Sequence, residues 1–141
     1  MPSSIVLPAF QASTKVQKVG PTFTGDVFLD RIYSGDGQNI SNVTFTPCAR
    51  TYWHTHEHGQ MIKVLAGSGL VCDKGGQPRR IEAGDVVWAQ PGTTHWHGAA
   101  EGTIMTHLVV ASGQTFWHEE VTEEEFKSGS VSKTQTESGK D

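Results

Sequence analysis

The feature that most constrains this chain is a series of short β-branched and aromatic runs separated by turns. Runs such as DVFLDRIY, NVTFT, QMIKVL, DVVWA and TIMTHLVV are rich in Val, Ile, Thr, Phe and Trp. The segments between them, such as SGDG, KGG, PG and SG, carry the residues that tight turns prefer. Many short strands at regular spacing predict an all-β sandwich or barrel.

The length of 141 residues indicates one domain that can bury a core without disulfide bonds. We expect an N-terminal arm or edge strand over residues 1–21 and the barrel over residues 22–127. Thr122, followed three positions later by Glu125, forms a capping-box pattern and predicts one short helix near the C-terminus. Residues 128–141 contain one apolar side chain among many Ser, Thr and Lys, which predicts a disordered tail.

Composition and charge exclude several classes of protein. The net charge is −4 and the sequence has no basic stretch, so a nucleic-acid partner is not expected. No apolar run approaches the roughly 20 residues of a membrane span, and the N-terminus lacks the basic region of a signal peptide. We therefore predict a cytoplasmic protein, in which Cys48 and Cys72 are free thiols. A bridge between the two cysteines stays open at this level.

The histidines carry the strongest functional signal. Five of the seven lie in two tight groups, which are His54, His56 and His58, just before Gln60, and His95 with His97. Residues i and i+2 of a strand point to the same face, so each H-x-H pair projects two imidazoles together. If both pairs face the barrel interior, two strands bring three or four ligands to one centre. Imidazole ligands suit several first-row metals.

The spacing of these groups resembles the two motifs of the cupin superfamily. The first motif is roughly G-x(5)-H-x-H-x(3,4)-E-x(6)-G, and this chain has Cys48, His54, His56, Gln60 and Gly67 at those positions. The second is G-x(5)-P-x-G-x(2)-H-x(3)-N, and it falls on the run from Gly84 through Pro91 and His95 to Ala99. The resemblance covers residues 22–120. It implies a single-domain cupin, a double-stranded β-helix or jelly-roll barrel, with a short C-terminal helix.

Within the cupins, three segments are similar to the bacterial group that includes manganese-dependent hydroxynitrile lyases. They are VTFTPCARTYWHTHEHGQ, GDVVWAQPGTTHWHGAA and MTHLVV. The resemblance implies one divalent transition metal, with Mn or Fe favoured over Zn or Ni. It places the metal ligands on His54, His56, Gln60 and His95. Cys48 and Ala99 depart from the superfamily pattern, and we predict that Cys48 is a core residue.

Gln60 is the most informative departure, because cupins usually have a glutamate there. An amide in place of the carboxylate makes the ligand set neutral, so that a divalent ion keeps its full charge. Such a centre favours an anionic substrate, intermediate or leaving group.

Further residues are candidates for catalysis or for the substrate pocket. His107 lies in the apolar run MTHLVV, and the resemblance implies that it transfers protons beside the metal. His97 shares the face of His95 and is expected to assist His107 in proton transfer. We also place Thr44, His58 and Trp117 in the substrate pocket.

Three functions follow from these residues. The first is a metal-dependent lyase acting on a small hydroxy or carbonyl compound, with a histidine general base. The second is an iron-dependent dioxygenase or oxidative tailoring enzyme, against which the neutral Gln60 argues mildly. The third is a non-enzymatic small-molecule-binding cupin. A small-molecule substrate and a homodimer or homotetramer are the expected partners, since small barrels protect their sheet edges by pairing.

Overall fold

The computed structural model describes residues 1–8 and 16–128, and it is an almost entirely β structure. One short helix, α1 (123–128), lies at the C-terminal end of the described chain. The strands are β1 (Gln17–Val19), β2 (Phe23–Thr24), β3 (Val27–Gly35), β4 (Gln38–Phe45), β5 (Arg50–Thr51), β6 (His54–His56), β7 (Gln60–Asp73), β8 (Arg79–Glu82), β9 (Val86–Ala89), β10 (Thr94–Ala99), β11 (Met105–Ser112) and β12 (Thr115–Trp117). The prediction of an all-β barrel with a short C-terminal helix is confirmed.

The strands form two sheets that share β7, and every pairing is antiparallel. Sheet A contains β1, β3, β4, β11 and β9 together with the first half of β7. Sheet B contains β2, β5, β6, β8, β10 and β12 together with the second half of β7. At the crossing, Gly67 has a φ of +76°, and a Cβ there would collide with the Ile104 carbonyl. The change of sheet within one strand therefore requires glycine at this position.

Two of the turns between strands adopt defined turn types. Asp36 and Gly37 both have positive φ and join the paired residues Gly35 and Gln38, which fits a two-residue type I′ hairpin. The amide of Ala49 donates to the Thr46 carbonyl at 2.9 Å. This turn has proline at its second position and Cys48 at its third, with a φ of 70°, which fits a type II turn.

Cys48 differs from the expectation that it is a core residue. Its side chain is half-buried, at the edge of an apolar cluster, and its positive φ is the feature that distinguishes the position. Left-handed backbone favours glycine, which explains why the cupin motif has glycine there. Both Cys48 and Cys72 are free.

Apolar packing holds the two sheets and the C-terminal segment together. The interior cluster lies between the sheets and includes Val27, Phe45, Ile62, Val64 and Met105. A second cluster covers the outer face of sheet B, and it joins Trp53, Leu70, Cys72 and Trp96 to Val121 and Phe126. The sheet-B side of the barrel is therefore sealed by the C-terminal segment.

Both ends of the described chain lie near boundaries that the sequence predicts. The capping box is confirmed, because the Thr122 amide donates to Glu125 Oε1 at 2.9 Å and the Glu125 amide donates to Thr122 Oγ1 at 3.0 Å. At the other end, β1 pairs with β3 at the edge of sheet A. The tail predicted at 128–141 lies outside the described residues except for its first residue. Across residues 1–8 and 16–128, no helix is both long and apolar enough to cross a membrane.

Candidate metal centre and cavity

The four histidines of the two H-x-H pairs converge inside the barrel. His54 on β6 is paired directly with His95 on β10, and their rings lie 4.7 Å apart between centroids. His56 lies 4.9 Å from His54, and His97 lies 5.3 Å from His95. All four side chains are buried. The strand period of two residues turns both pairs inward, as the spacing predicts.

Burial keeps these imidazoles neutral. Desolvation lowers the pKa of His56 to about 4 and that of His95 to about 3. The pKa of His54 is also lowered, by burial first and then by the neighbouring His95. Neutral rings retain the lone pairs that a metal requires, so the cluster is prepared chemically to bind a cation.

Gln60 completes a set of potential metal-ligating atoms that form no hydrogen bond with the protein. It is the first residue of β7, it is 4% exposed, and it lies opposite Ala111 and Ala89 in sheet A. Its Oε1 makes no hydrogen bond, and neither do His56 Nε2 and His95 Nε2, although all three atoms are buried. Buried polar atoms without partners are costly, and a bound cation removes that cost. The residues present therefore fit a divalent metal.

Hydrogen bonds fix two of the rings in the orientation that a metal site needs. His54 Nδ1 lies 2.9 Å from the Tyr52 carbonyl, so it carries the proton and leaves Nε2 as an acceptor. His56 Nδ1 lies 3.1 Å from Thr115 Oγ1 on β12, again leaving Nε2 without a protein partner. Such partners on the second nitrogen orient metal-binding histidines.

His97 is close enough to join the centre. One ligand atom each from His54, His95 and His97 lie within 4.8 Å of one another, and this buried three-histidine group suits one metal ion. Geometry alone thus admits His97 as a ligand beside or instead of His56. His97 differs in having a second interaction, with His107.

His97 and His107 form a hydrogen-bonded pair in the barrel interior. His107 Nε2 lies 3.0 Å from His97 Nδ1, and both residues are at most 3% exposed. Phe45 packs edge-on against both rings. Burial lowers the pKa of His107 to about 4 and lowers that of His97 well below its usual value. The outer nitrogens, His97 Nε2 and His107 Nδ1, have no protein partner.

A cavity of about 250 Å³ opens over this cluster. Its polar lining includes His54, His56, Gln60, His97 and His107, together with Thr115. Its walls are mainly apolar, formed by Phe23, Leu29, Val43, Phe45, Val109 and Trp117. The small volume suits a small substrate with an apolar body.

Of the three residues predicted for the substrate pocket, the structure places one in the cavity. Trp117 lines it, with its ring 4.7 Å from that of His54. Thr44 does not, because its neighbours Val43 and Phe45 face inward and its hydroxyl bonds Thr106 at 3.0 Å outside. His58 does not either, because the strand ends before Gly59, where φ is +95°.

The side chain of His58 is instead exposed, and its Nε2 lies 3.7 Å from Oε2 of Glu57. Thr44 and His58, predicted for the substrate pocket, thus do not line this cavity.

Several cavity residues were not found from the sequence. Ser41 and Asn39 on β4, and Ala111 on β11, line the wall of sheet A. Strand alternation from Val43 and from His107 is the signal that identifies them, once the inward face is known. Arg31 on β3 also lines the cavity, two residues after Leu29, although a charged side chain at an inward position departs from the apolar pattern.

Comparison with known proteins agrees with this geometry. A curated relative named (R)-mandelonitrile lyase, from Granulicella tundricola, is 44% identical over 126 residues, which is 83% of this chain and 93% of the relative. A cupin-like protein of known structure from Thermotoga maritima is 31% identical with a TM-score of 0.79, over 86% of this chain and 96% of that one.

A polyketide cyclase from Streptomyces resistomycificus shares the fold, at 19% identity and a TM-score of 0.66 over 98% of both chains. The family model for the cupin domain matches residues 41–123, where both histidine groups and His107 lie. With its jelly-roll barrel and its interior histidine cluster, the chain belongs to the cupin family.

Proposed function

We propose that this protein is a metal-dependent lyase that cleaves a small hydroxynitrile into a carbonyl compound and hydrogen cyanide. The observation that carries the proposal is a buried cluster of neutral potential metal ligands beside the buried pair of His97 and His107, with members of both groups lining one mainly apolar cavity. The relative named mandelonitrile lyase supports the same reaction type.

We assign the metal ligands to His54, His56, Gln60 and His95, with manganese or iron as the favoured ion. The unpartnered acceptors on His56, Gln60 and His95 support this assignment, together with the orienting bond of His54 to Tyr52. A divalent ion held there supplies a Lewis acid for the substrate oxygen and positive charge near the departing cyanide.

We assign proton transfer to His97 and His107. The hydrogen bond between them leaves one ring with a free acceptor nitrogen and the other with a free N–H donor. If His107 Nε2–H donates to His97 Nδ1, then His107 Nδ1 is a free acceptor and His97 Nε2–H is a donor. The opposite tautomers exchange these roles. Either way, two neutral rings joined by a hydrogen bond of 3.0 Å between nitrogens offer the cavity one proton acceptor and one proton donor.

The cleavage step balances on these groups. The acceptor nitrogen of the pair takes the hydroxyl proton of the substrate, the O–H electrons form the C=O bond, and the C–CN bond breaks with its electron pair leaving on cyanide. The same proton then returns to cyanide, which departs as hydrogen cyanide. The apolar walls, including Trp117 and Phe45, hold the substrate body and exclude water from the reacting carbon.

The test is the cleavage of mandelonitrile by the metal-loaded protein under nitrogen and under air, followed through the absorbance of benzaldehyde. We expect equal rates in both atmospheres, because the reaction consumes no oxygen. A strict requirement for oxygen and iron would contradict the lyase and favour the dioxygenase. Absence of turnover together with tight small-molecule binding would favour the binding protein.

A pair of variants separates metal binding from proton transfer. His95→Ala should lose both metal and activity, because it removes a ligand. His107→Gln should keep the metal, since Gln retains a polar side chain at this position, and should lose at least about 100-fold in kcat, the usual scale of general-base catalysis. Metal loss in His107→Gln, measured by elemental analysis, would refute the ligand assignment.

A further inference from the structure

Arg31 lies on the cavity wall. It is on β3, one two-residue step along the strand from the row of inward residues that contains His107. Across sheet A, His107 pairs with Val43, and Val43 pairs with Leu29. The next inward row is formed by Val109, Ser41 and Arg31, in the same order across the strands. With strands about 4.8 Å apart and a two-residue step of about 7 Å, the Cα atoms of Arg31 and His107 are about 12 Å apart.

The guanidinium of Arg31 is oriented by an amide and has no acidic partner. Its Nη1 donates to Asn39 Oδ1 at 3.2 Å, and Ser34 Oγ donates to the same oxygen at 2.9 Å. Both Arg31 and Asn39 line the cavity.

The other three arginines of the chain each pair with a carboxylate, in Arg50–Glu123, Arg79–Asp73 and Arg80–Glu82. Among the described residues, Arg31 alone of the arginines makes no ion pair within 4.0 Å.

Arg31 is an exposed residue that lines the cavity, and no carboxylate of the described residues pairs with it, so an anionic group on a ligand can reach its guanidinium. The wall between Arg31 and His107 is mainly apolar. Leu29 and Val43 share the row of His107, whereas Val109 and the polar Ser41 share the row of Arg31. A small molecule that fills this space therefore has an apolar middle, one end among the histidines and the other end at a fixed positive charge. The planar fork of a guanidinium matches a carboxylate in both charge and shape.

We propose that Arg31 determines specificity by binding a carboxylate on the end of the substrate remote from the reacting carbon. The substrate class is then a hydroxynitrile, or the matching aldehyde, that carries an acid group across an aromatic ring or a chain of similar length. Asn39 positions the guanidinium. This inference rests on the proposed function for the reacting end of the molecule and adds the recognition of the far end.

The test compares a carboxylate with its neutral isostere. The kcat/KM values are measured for 4-carboxymandelonitrile and 4-carbamoylmandelonitrile with the metal-loaded wild type, Arg31→Gln and Arg79→Gln. We expect the wild type to prefer the carboxylate by about tenfold, the scale of one charge-assisted contact at a partly exposed site. Arg31→Gln should lose this preference. Arg79→Gln, which removes an arginine outside this cavity, should retain it.

A binding measurement separates this inference from the lyase activity. The dissociation constants of 4-formylbenzoate and 4-formylbenzamide are measured by calorimetry on the same three proteins. A preference for the benzoate that Arg31→Gln abolishes supports the role of Arg31 even if no nitrile is cleaved, in which case only the proposed reaction fails.

Two results overturn the role of Arg31. One is a wild type that does not distinguish the two aldehydes. The other is an equal preference for the carboxylate in wild type and Arg31→Gln, which would place the anion among the histidines. Arg31→Lys, which keeps the charge without the fork, guards against misfolding of the glutamine variant and should retain part of the preference.

Discussion

Acidification should destabilise the metal-free protein well above the pH at which its carboxylates titrate. Five interior histidines are held neutral by burial, with the pKa of His56 and His107 lowered to about 4 and that of His95 to about 3. In the unfolded chain each has an ordinary value near 6.5. As the pH falls below 6.5, the unfolded chain therefore binds protons that the folded chain does not.

The sign and size follow from proton linkage. Stability is fully present above pH 6.5 and is lost as the pH falls toward the folded pKa values. Between pH 7.5 and pH 5.0, one histidine shifted from 6.5 to about 4 costs RT ln(1 + 10^1.5), or about 2 kcal/mol. His56, His95 and His107 together remove about 6 kcal/mol, and His54 and His97 act in the same direction. That is comparable with the whole stability of a typical domain.

The assay is urea unfolding followed by tryptophan fluorescence in the presence of a chelator at pH 7.5, 6.0 and 5.0. His107→Gln is the matched control, because it removes one titrating ring. The decrease in its free energy of unfolding between pH 7.5 and pH 5.0 should be smaller than that of the wild type by about 2 kcal/mol. Glu119 and Glu123, whose pKa values are lowered by hydrogen bonds, stabilise the folded protein above the ordinary carboxyl range and lose that contribution only as the pH falls through it. An unfolding free energy that stays flat from pH 7.5 to 5.0 would refute the reasoning.

Three further predictions concern single residues. Gln60→Glu should retain the metal but weaken inhibition by azide about tenfold, because it cancels one positive charge, and an unchanged inhibition constant would contradict a neutral ligand set. His56→Ala should lose bound metal, measured by elemental analysis, whereas His97→Ala should keep it; the reverse result would move the ligand role to His97. Cys48→Gly should raise the unfolding free energy by about 0.5–1 kcal/mol, since glycine relieves the positive φ, and a decrease in thermal stability would count against that turn.

Local rules account for what the sequence predicts correctly. Strand alternation turns the H-x-H pairs inward, and the capping box of Thr122 and Glu125 depends on residues three positions apart. Alternation fails for Thr44 because it does not say which face of β4 is the inner one. For His58 it fails because the positive φ of Gly59 ends the strand geometry.

Arg31 could not be placed from the sequence, since its position depends on pairings between distant segments. It reaches the cavity through the register of β3 on β4 and of β4 on β11, and a bulge follows it directly, between Arg31 and Tyr33. A shift of one residue in that register would point it away from the cavity. Non-local pairing of this kind has no signature in a short window of sequence.

The sharing of β7 by two sheets has a consequence for how such a protein can be altered. His54, His56 and His95 all lie on sheet B, whose outer face is sealed by the C-terminal segment, whereas Arg31, Ser41, Val43 and Val109 lie on sheet A. Apart from Gln60, which lies at the start of β7 in sheet A, the proposed metal ligands and the proposed specificity residues thus lie on different sheets of one barrel. Mutant libraries confined to the inward positions of β3 and β4 and to Val109 on β11 should yield new substrate ranges while sparing His107 and the proposed metal ligands.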